Sequence, residues 1–141
     1  MSATIIAAIQ TKLTASQIAG TIYAATSGRM YFMEPPQSNV ALTSLCPFLV
    51  FSLVDSTNFG YYGGVNGKDW TFQFDLYGTR GGGANTLYGY QDILFALFDR
   101  AVLTASGFDL VVTTWNEDGT ITPDADAIRI TSTLRAQATD F

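Results

Sequence analysis

Four acidic residues form the densest group of side chains that could bind a cation: Glu117, Asp118, Asp124 and Asp126. Carboxylates bind hard cations, but the spacing of these four does not match a calcium loop of the EF-hand type, which needs oxygen ligands at alternate positions and a distal Glu. The chain contains no histidine, which excludes imidazole metal sites and His-dependent catalytic triads. We therefore interpret the acidic group as a solvated loop and expect the protein to bind no metal or cofactor.

Two further features carry weak chemical signals. The glycine-rich segment Gly78–Gly83 precedes a predicted helix, whose first N–H groups attract anions, but no Lys-Ser or Lys-Thr pair follows it as a nucleotide-binding P-loop requires. Cys46 is the only cysteine and stands beside Pro47 and an apolar run, so we expect a buried, inert thiol. Without a recognisable nucleophile, the sequence predicts a protein that is not an enzyme.

The composition predicts a single domain over residues 1–141. Hydrophobic residues make up 48% of the chain, which is enough for a continuous core. Charged residues make up only 13%, roughly half the usual share, so neutral polar and apolar groups must cover much of the surface. Two interpretations are open: part of that surface is buried against copies of the chain or other partners, or the protein is a monomer with a neutral polar surface.

The net charge is -5, and the seven basic residues are scattered along the chain. Because neutralising phosphates requires clustered Lys and Arg, we expect no tight binding to DNA, although DNA could still slide through a passage in an assembly. The amino-terminal apolar run, Ile5 to Ile9, is too short for a signal peptide or a membrane span. We expect a protein that is made in the cytoplasm and does not enter a membrane.

Two helices are predicted in the amino-terminal region. The first is capped by Ser2 or Thr4. Its apolar stripe has helical spacing and consists of Ile5, Ile6, Ile9 and Leu13. The second covers Ile18 to Ala25 and ends at Ser27-Gly28.

Three strands are predicted in the middle of the chain. Arg29–Met33 is predicted to be an edge strand or an extended segment before a pair of prolines. After a polar loop, Ser38 to Ser44, the strand Phe48–Val54 is apolar on both faces, which places it in the middle of a sheet or in a sheet whose second face another subunit buries. In Asp69–Gly78 apolar and polar residues alternate, which predicts the third strand. Its apolar face consists of Trp70, Phe72, Phe74 and Leu76.

A third helix is predicted over Leu87–Thr104, ended by Ser106-Gly107. Its core side consists of Leu94, Leu97, Phe98 and Ala101. Phe95 and Leu103 fall outside that arc, so the helix carries more apolar surface than a single core can use. We predict that both residues contact another subunit, the alternative being that the amino-terminal helices cover Phe95 within one subunit.

The last two predicted strands are Phe108–Trp115 and about Ala127–Thr139. A turn-rich segment that carries Asp118-Gly119 and Pro123-Asp124 joins them. Apolar and polar residues alternate along the last strand, whose apolar face consists of Ile128, Ile130, Leu134 and Ala136. The order of elements predicts an α+β fold, an antiparallel β-sheet of about four to five strands with helices packed on one face. The other face is expected to be polar, and Asp75 could pair there with Arg129 or Arg135 if the two strands are neighbours.

The segment Asn58–Gly67 holds four glycines and three aromatic residues between two strands. It is predicted to be an extended hairpin connection. Its aromatic residues, Phe59, Tyr61 and Tyr62, could form a stacking platform for a sugar or a base, or pack on a neighbouring subunit. We favour packing, because stacking on nucleic acid lacks basic residues beyond Lys68.

In the order and spacing of its segments, the chain resembles the tail-completion, or tail-terminator, family of long-tailed bacteriophages and prophages. The resemblance covers most of the chain. It rests on the leading helical region and on five segments: Arg29 to Gln37, Pro47 to Val54, Phe72 to Gly78, Tyr90 to Ala101 and Ile128 to Gln137. Two connections, Asn58–Gly67 and Gly81–Gly83, are longer than is typical of the family.

The resemblance implies a structural virion protein, assembled in the host cytoplasm and located in the tail or neck. Such a subunit forms a homo-oligomeric ring, usually a hexamer, at the head-proximal end of the tail. The ring ends growth of the tube, contacts the tail tube protein and the head-tail connector proteins, and lets DNA pass without specific binding. Two alternatives remain: another ring of the neck, such as a head-completion adaptor or stopper, and a small carbohydrate-binding module.

Overall fold

The computed structural model describes residues 2–14, 26, 29–32, 46–60, 66–80, 83–103, 110–124 and 127–140. Within them lie two helices, α1 (Ser2–Thr14) and α2 (Gly83–Phe98). The strands are β1 (Met30–Phe32), β2 (Phe48–Gly60), β3 (Asn66–Thr79), β4 (Val102–Leu103), β5 (Leu110–Asp124) and β6 (Ala127–Asp140). Three sequence predictions lie outside the described residues: the helix Ile18 to Ala25, the loop Ser38 to Ser44 and the stop at Ser106-Gly107.

The six described strands form one sheet in the order β1-β2-β3-β6-β5-β4. All neighbours pair antiparallel except β1 and β2, which are parallel, so the sheet is mixed. The α+β plan is confirmed, and so is the position of Met30–Phe32 at an edge. The expectation of about four to five antiparallel strands was wrong, because the direction of a three-residue strand and the existence of a two-residue one depend on tertiary pairing rather than on local pattern.

One face of the sheet carries the core, and both helices pack on it. α1 contributes Ile5, Ile9 and Leu13, at helical spacing as predicted. The alternating side chains of β3, Trp70, Phe72, Phe74 and Leu76, are at most 1% exposed. The ring of Phe74 lies 5.5 Å from that of Phe98 on α2 and 5.2 Å from that of Trp115 on β5. Burial of these aromatic rings joins the helix layer to the centre of the sheet.

The second face of the sheet is apolar at one end. Phe48 and Tyr77 stack with ring centroids 4.5 Å apart, in a cluster with Val50 and Ala127. β2 is therefore buried on both faces at its start, as its apolar composition predicted. Cys46 packs against this cluster but is half-buried rather than buried, because it stands just before the strand at the border of the cluster.

The rest of the second face is polar, and Arg135, one of the two predicted partners of Asp75, pairs with a different carboxylate. Asp75 accepts hydrogen bonds from Gln73 Nε2 and from Thr131 Oγ1, the latter at 2.7 Å. Arg135 instead donates to Asp69 Oδ2 at 3.0 Å. The strand register explains the difference, because Asp75 lies opposite Thr131 whereas Arg135 lies further along β6, opposite Thr71.

α2 begins and ends earlier than predicted. It covers Gly83–Phe98, and the chain then turns through Arg100, whose φ is 53°, into β4. The side chain of Thr113 donates a hydrogen bond to the carbonyl oxygen of Phe98, which satisfies one of the carbonyls left open at the helix end. Leu103 therefore lies on a strand and is only 6% exposed, so the prediction that it adds to the exposed surface of the helix was wrong.

β5 and β2 are longer than predicted. β5 runs on to Asp124, with an irregular register between Glu117 and Ile121 that places the predicted Asp118-Gly119 turn inside the strand. Thr120 N–H donates to Asp118 Oδ1 at 2.9 Å, which stabilises this bulge. Turn-forming residues also suit a bulge, and local sequence did not distinguish the two. β2 likewise extends to Gly60, which shortens the predicted connection after it.

Candidate interaction surfaces

The residues that the sequence predicts as subunit contacts differ in their exposure. Phe95 lies on α2 and is 47% exposed, as its position on the helical wheel predicts, whereas Leu103 belongs to the core. The backbone of Phe59 lies in β2, paired with Gly67. The side chain of Phe59 and the whole of Tyr61 and Tyr62 lie outside the described residues.

Four more large hydrophobic side chains are exposed among the described residues, and sequence reasoning did not find them. Tyr88 of α2 is 42% exposed and donates a hydrogen bond to Gly119 O at 2.7 Å. Val54 is 58% exposed, Val102 64% and Val112 38%. Exposed apolar groups of this size mark surfaces that a partner covers when they lie together.

Three of these side chains lie at the edges of the sheet. The register of β2 against β3 shifts between Leu53 and Asp55, so Val54 is the extra residue of a bulge, beyond the part of β2 that pairs with β1. Val102 and Val112 are neighbours on β4 and β5 at the opposite edge. We call the first surface, Val54 and Asp55, the β2 edge, and the second, Arg100, Val102 and Val112, the β4 edge.

The part of β5 that β4 leaves uncovered is poorly suited to pairing with an added strand. The N–H of Trp115 donates to Asp99 Oδ1 at 3.2 Å, so a side chain of the same chain already occupies it. The bulge between Glu117 and Ile121 interrupts the regular spacing, and Pro123 has no N–H to donate. Side-chain caps, bulges and prolines protect an edge against uncontrolled pairing.

Glu117 and Asp118 of β5 are engaged by their own strand. Trp115 Nε1 donates to Glu117 Oε1 at 3.1 Å. Hydrogen bonds from Thr120, first from its backbone N–H and then from its side chain, hold the pKa of the Asp118 carboxyl below its ordinary value. Within the described part of the chain, no three His, Cys, Asp or Glu residues are grouped so that they could hold a metal ion. Asp126 lies outside that part.

None of the described helices is long and apolar enough to span a bilayer.

A chain from the virion of a native gene transfer agent particle shares this fold. The two superpose with a TM-score of 0.66 at 19% sequence identity, over 98% of this chain and 96% of that one. A second solved structure superposes with a TM-score of 0.66 at 15% identity, over 100% of this chain and 96% of the other. No protein-family model and no curated protein matches the sequence. At these identities the likeness establishes a common fold that extends over nearly the whole of each chain.

Proposed function

We propose that the protein is a structural component of a phage-like virion and, within it, a subunit of the ring that ends the tail tube and joins it to the head connector. The observation that carries this proposal is the superposition on a chain of the gene transfer agent virion over 98% of this chain and 96% of that one. A match of nearly whole chains favours a common subunit over a module shared between different proteins.

The surface of the described residues supports an assembly role. Val54, Phe95 and Val102 are between 47% and 64% exposed in a chain that is only 13% charged. A subunit that buries these side chains against its neighbours avoids the aggregation that an isolated monomer with such a surface risks. Contacts repeated around a closed ring provide that burial without unlimited growth.

Imaging and mass measurement of the purified protein test the ring. We expect single closed rings in electron micrographs and a mass of about six subunits by light scattering. The control is the same preparation diluted stepwise, which separates a stable ring from a concentration-dependent aggregate. A protein that remains monomeric at all concentrations would contradict the proposal.

The alternative role, another ring of the virion neck, makes a different prediction about partners. A terminator ring binds the end of a polymerising tail tube and limits its length, whereas an adaptor or stopper ring binds the head connector. We therefore expect addition of the purified protein to polymerising tube protein to shorten the tubes. Unchanged tube length together with binding to the connector would assign the protein to the neck instead.

We also propose that the protein catalyses no reaction and needs no metal. The reason is the absence of histidine and of a recognisable nucleophile from the sequence. A ligand that binds the native state raises the melting temperature, so its removal must lower it. We expect EDTA to leave the melting temperature unchanged, and a fall of several degrees would refute the part of the proposal that concerns metals.

A further inference from the structure

The two opposite edges of the sheet carry complementary side chains. On the β2 edge, Val54 is 58% exposed and is followed by Asp55, which is also exposed. On the β4 edge, Val102 is 64% exposed and lies two residues after the exposed Arg100. Each edge thus combines a large aliphatic side chain with a charge, and the two charges are opposite.

The strand register places the two charges at the same height in the sheet. One cross-strand row connects β2, β3, β6 and β5, and it consists of Asp55, Thr71, Arg135 and Thr114. Arg100 lies beside the end of this row, because its N–H donates to the carbonyl oxygen of Thr113 at 2.9 Å. Asp55 and Arg100 therefore mark the two ends of one row that crosses the whole sheet.

The outlines of the two edges also fit each other. β1 covers β2 only from Leu49 to Phe51, and β4 covers β5 only at Val111 and Val112. Val112 of β5 lies opposite Gln137 of β6, and Gln137 lies opposite Asp69 of β3. Asp69 in turn lies opposite Thr57, in the part of β2 that β1 does not cover. Among the described strands, β4 therefore projects from one edge at the height of the part of β2 that no strand covers.

We propose that copies of this chain associate head to tail through these edges, with Arg100 of one copy against Asp55 of the next and Val102 against Thr57, the residue at its height in the register. The proposal rests on the ring proposed above and names the contacts that form it. In this arrangement β4 of one copy lies alongside β2 of the next, and the row that ends at Arg100 continues at Asp55. Because the uncovered part of β5 is already protected by Asp99 and Pro123, the contact is centred on β4.

The complementarity favours unlike edges in contact. Pairing two β2 edges would bring two copies of Asp55 together, and pairing two β4 edges would bring two copies of Arg100 together, so both symmetric arrangements suffer like-charge repulsion. Joining unlike edges pairs the two charges and covers Val102. A contact between unlike surfaces repeats from copy to copy, and it closes into a ring when the rotation per copy divides a full turn.

Charge reversal tests the contact in the full-length chain. We expect Asp55→Arg and Arg100→Asp each to weaken ring association by at least about tenfold, measured by light scattering across a dilution series. The double variant Asp55→Arg/Arg100→Asp restores opposite charges across the junction and is expected to recover the ring. Asp tolerates the left-handed φ of 53° at position 100 better than most residues do, so Arg100→Asp is expected to fold.

The control is Asp118→Arg, which makes the same change of charge at an exposed position in the bulge of β5, outside the β2 edge and the β4 edge. Circular dichroism verifies folding of every variant. If the wild-type protein and both single variants form equally stable rings, the ring stands and this assignment of its contacts is wrong. If both single variants dissociate and the double variant does not recover, the charges do not face each other and the assignment is also wrong. A wild-type protein that is always monomeric would overturn the ring itself and, with it, the contact.

Discussion

Gln91 of α2 donates a hydrogen bond from Nε2 to Ser132 Oγ of β6 at 2.8 Å, and both side chains are buried. The same amide nitrogen lies 3.3 Å from the carbonyl oxygen of Asp118 in the bulge of β5. One polar side chain on the core face of the helix thus connects α2 to two neighbouring strands. A buried polar group of this kind is costly to leave without its partner, because it has lost its hydrogen bonds to water.

We predict that Ser132→Ala lowers the free energy of unfolding by about 1–3 kcal/mol, because it removes the acceptor from a buried amide. Urea denaturation measures the change. The double variant Gln91→Leu/Ser132→Ala replaces both partners by apolar groups, and we expect it to be more stable than the sum of the two single changes predicts. Strict additivity of the two changes would contradict a coupled pair.

A second prediction concerns the pH dependence at Asp118. Hydrogen bonds from Thr120 hold the pKa of this carboxyl below its usual 3.8, so the folded state favours the ionised form. A depressed pKa contributes stability above the unfolded value, and that contribution is lost as the pH falls through the folded value. We expect carboxyl-carbon NMR to report a pKa below 3.8 for Asp118. We also expect Thr120→Pro, which removes the donor N–H, to return it towards that value.

The third prediction concerns DNA. The net charge is -5, Arg135 is paired with Asp69, and Lys68 Nζ lies 5.5 Å from the centre of the Trp70 ring. Because phosphate binding needs clustered and available cations, we expect no measurable binding to duplex DNA at physiological salt by fluorescence anisotropy. Micromolar affinity that falls steeply as salt is raised would contradict this expectation.

Periodic patterns in the sequence predicted the central elements, and pairing between distant segments determined the rest. The alternation from Trp70 to Leu76 identified β3, and helical spacing from Ile5 to Leu13 identified α1, because each pattern follows from a face that must be buried. The end of α2 was misplaced, because apolar residues continue past Phe98 although the chain has already turned into β4. Nothing local distinguishes an apolar helix end from an apolar strand.

The candidate contact surfaces show the same limit. The exposure of Phe95 was predicted from the sequence, because a helical wheel shows which side chains of one helix lie outside its core side. Val54 was missed, because its exposure arises from a bulge in the pairing of β2 with β3. The alignment of Asp55 with Arg100 was missed for a similar reason, since it depends on the combined register of strands that are far apart in the chain.

The last prediction concerns Phe95, which is 47% exposed on α2 one turn before the helix ends. Asp99 N–H donates to the carbonyl oxygen of Phe95 at 2.8 Å, and the next residue, Arg100, belongs to the β4 edge, so a neighbour bound at that edge lies close to this turn of the helix. Burial of the exposed half of a phenyl ring contributes about 1 kcal/mol, and a new charge in its place adds a desolvation cost. We expect Phe95→Asp to remain folded by circular dichroism and to shift the protein from rings towards monomers by roughly tenfold in dissociation constant, since 1.4 kcal/mol corresponds to a factor of ten.

The matched control for Phe95→Asp is Thr86→Asp, which places the same charge at an exposed position near the other end of α2 and is expected to leave the ring intact. An unfolded Phe95→Asp chain would mean that the residue belongs to the core. Intact rings would place the subunit contact elsewhere on the surface. Since Phe95 is exposed by about half and the adjoining α2 core residues Leu94 and Phe98 are fully buried, Leu94→Asp is the variant expected to unfold the chain instead. Comparing the two substitutions, one residue apart on the same helix, separates loss of assembly from loss of folding.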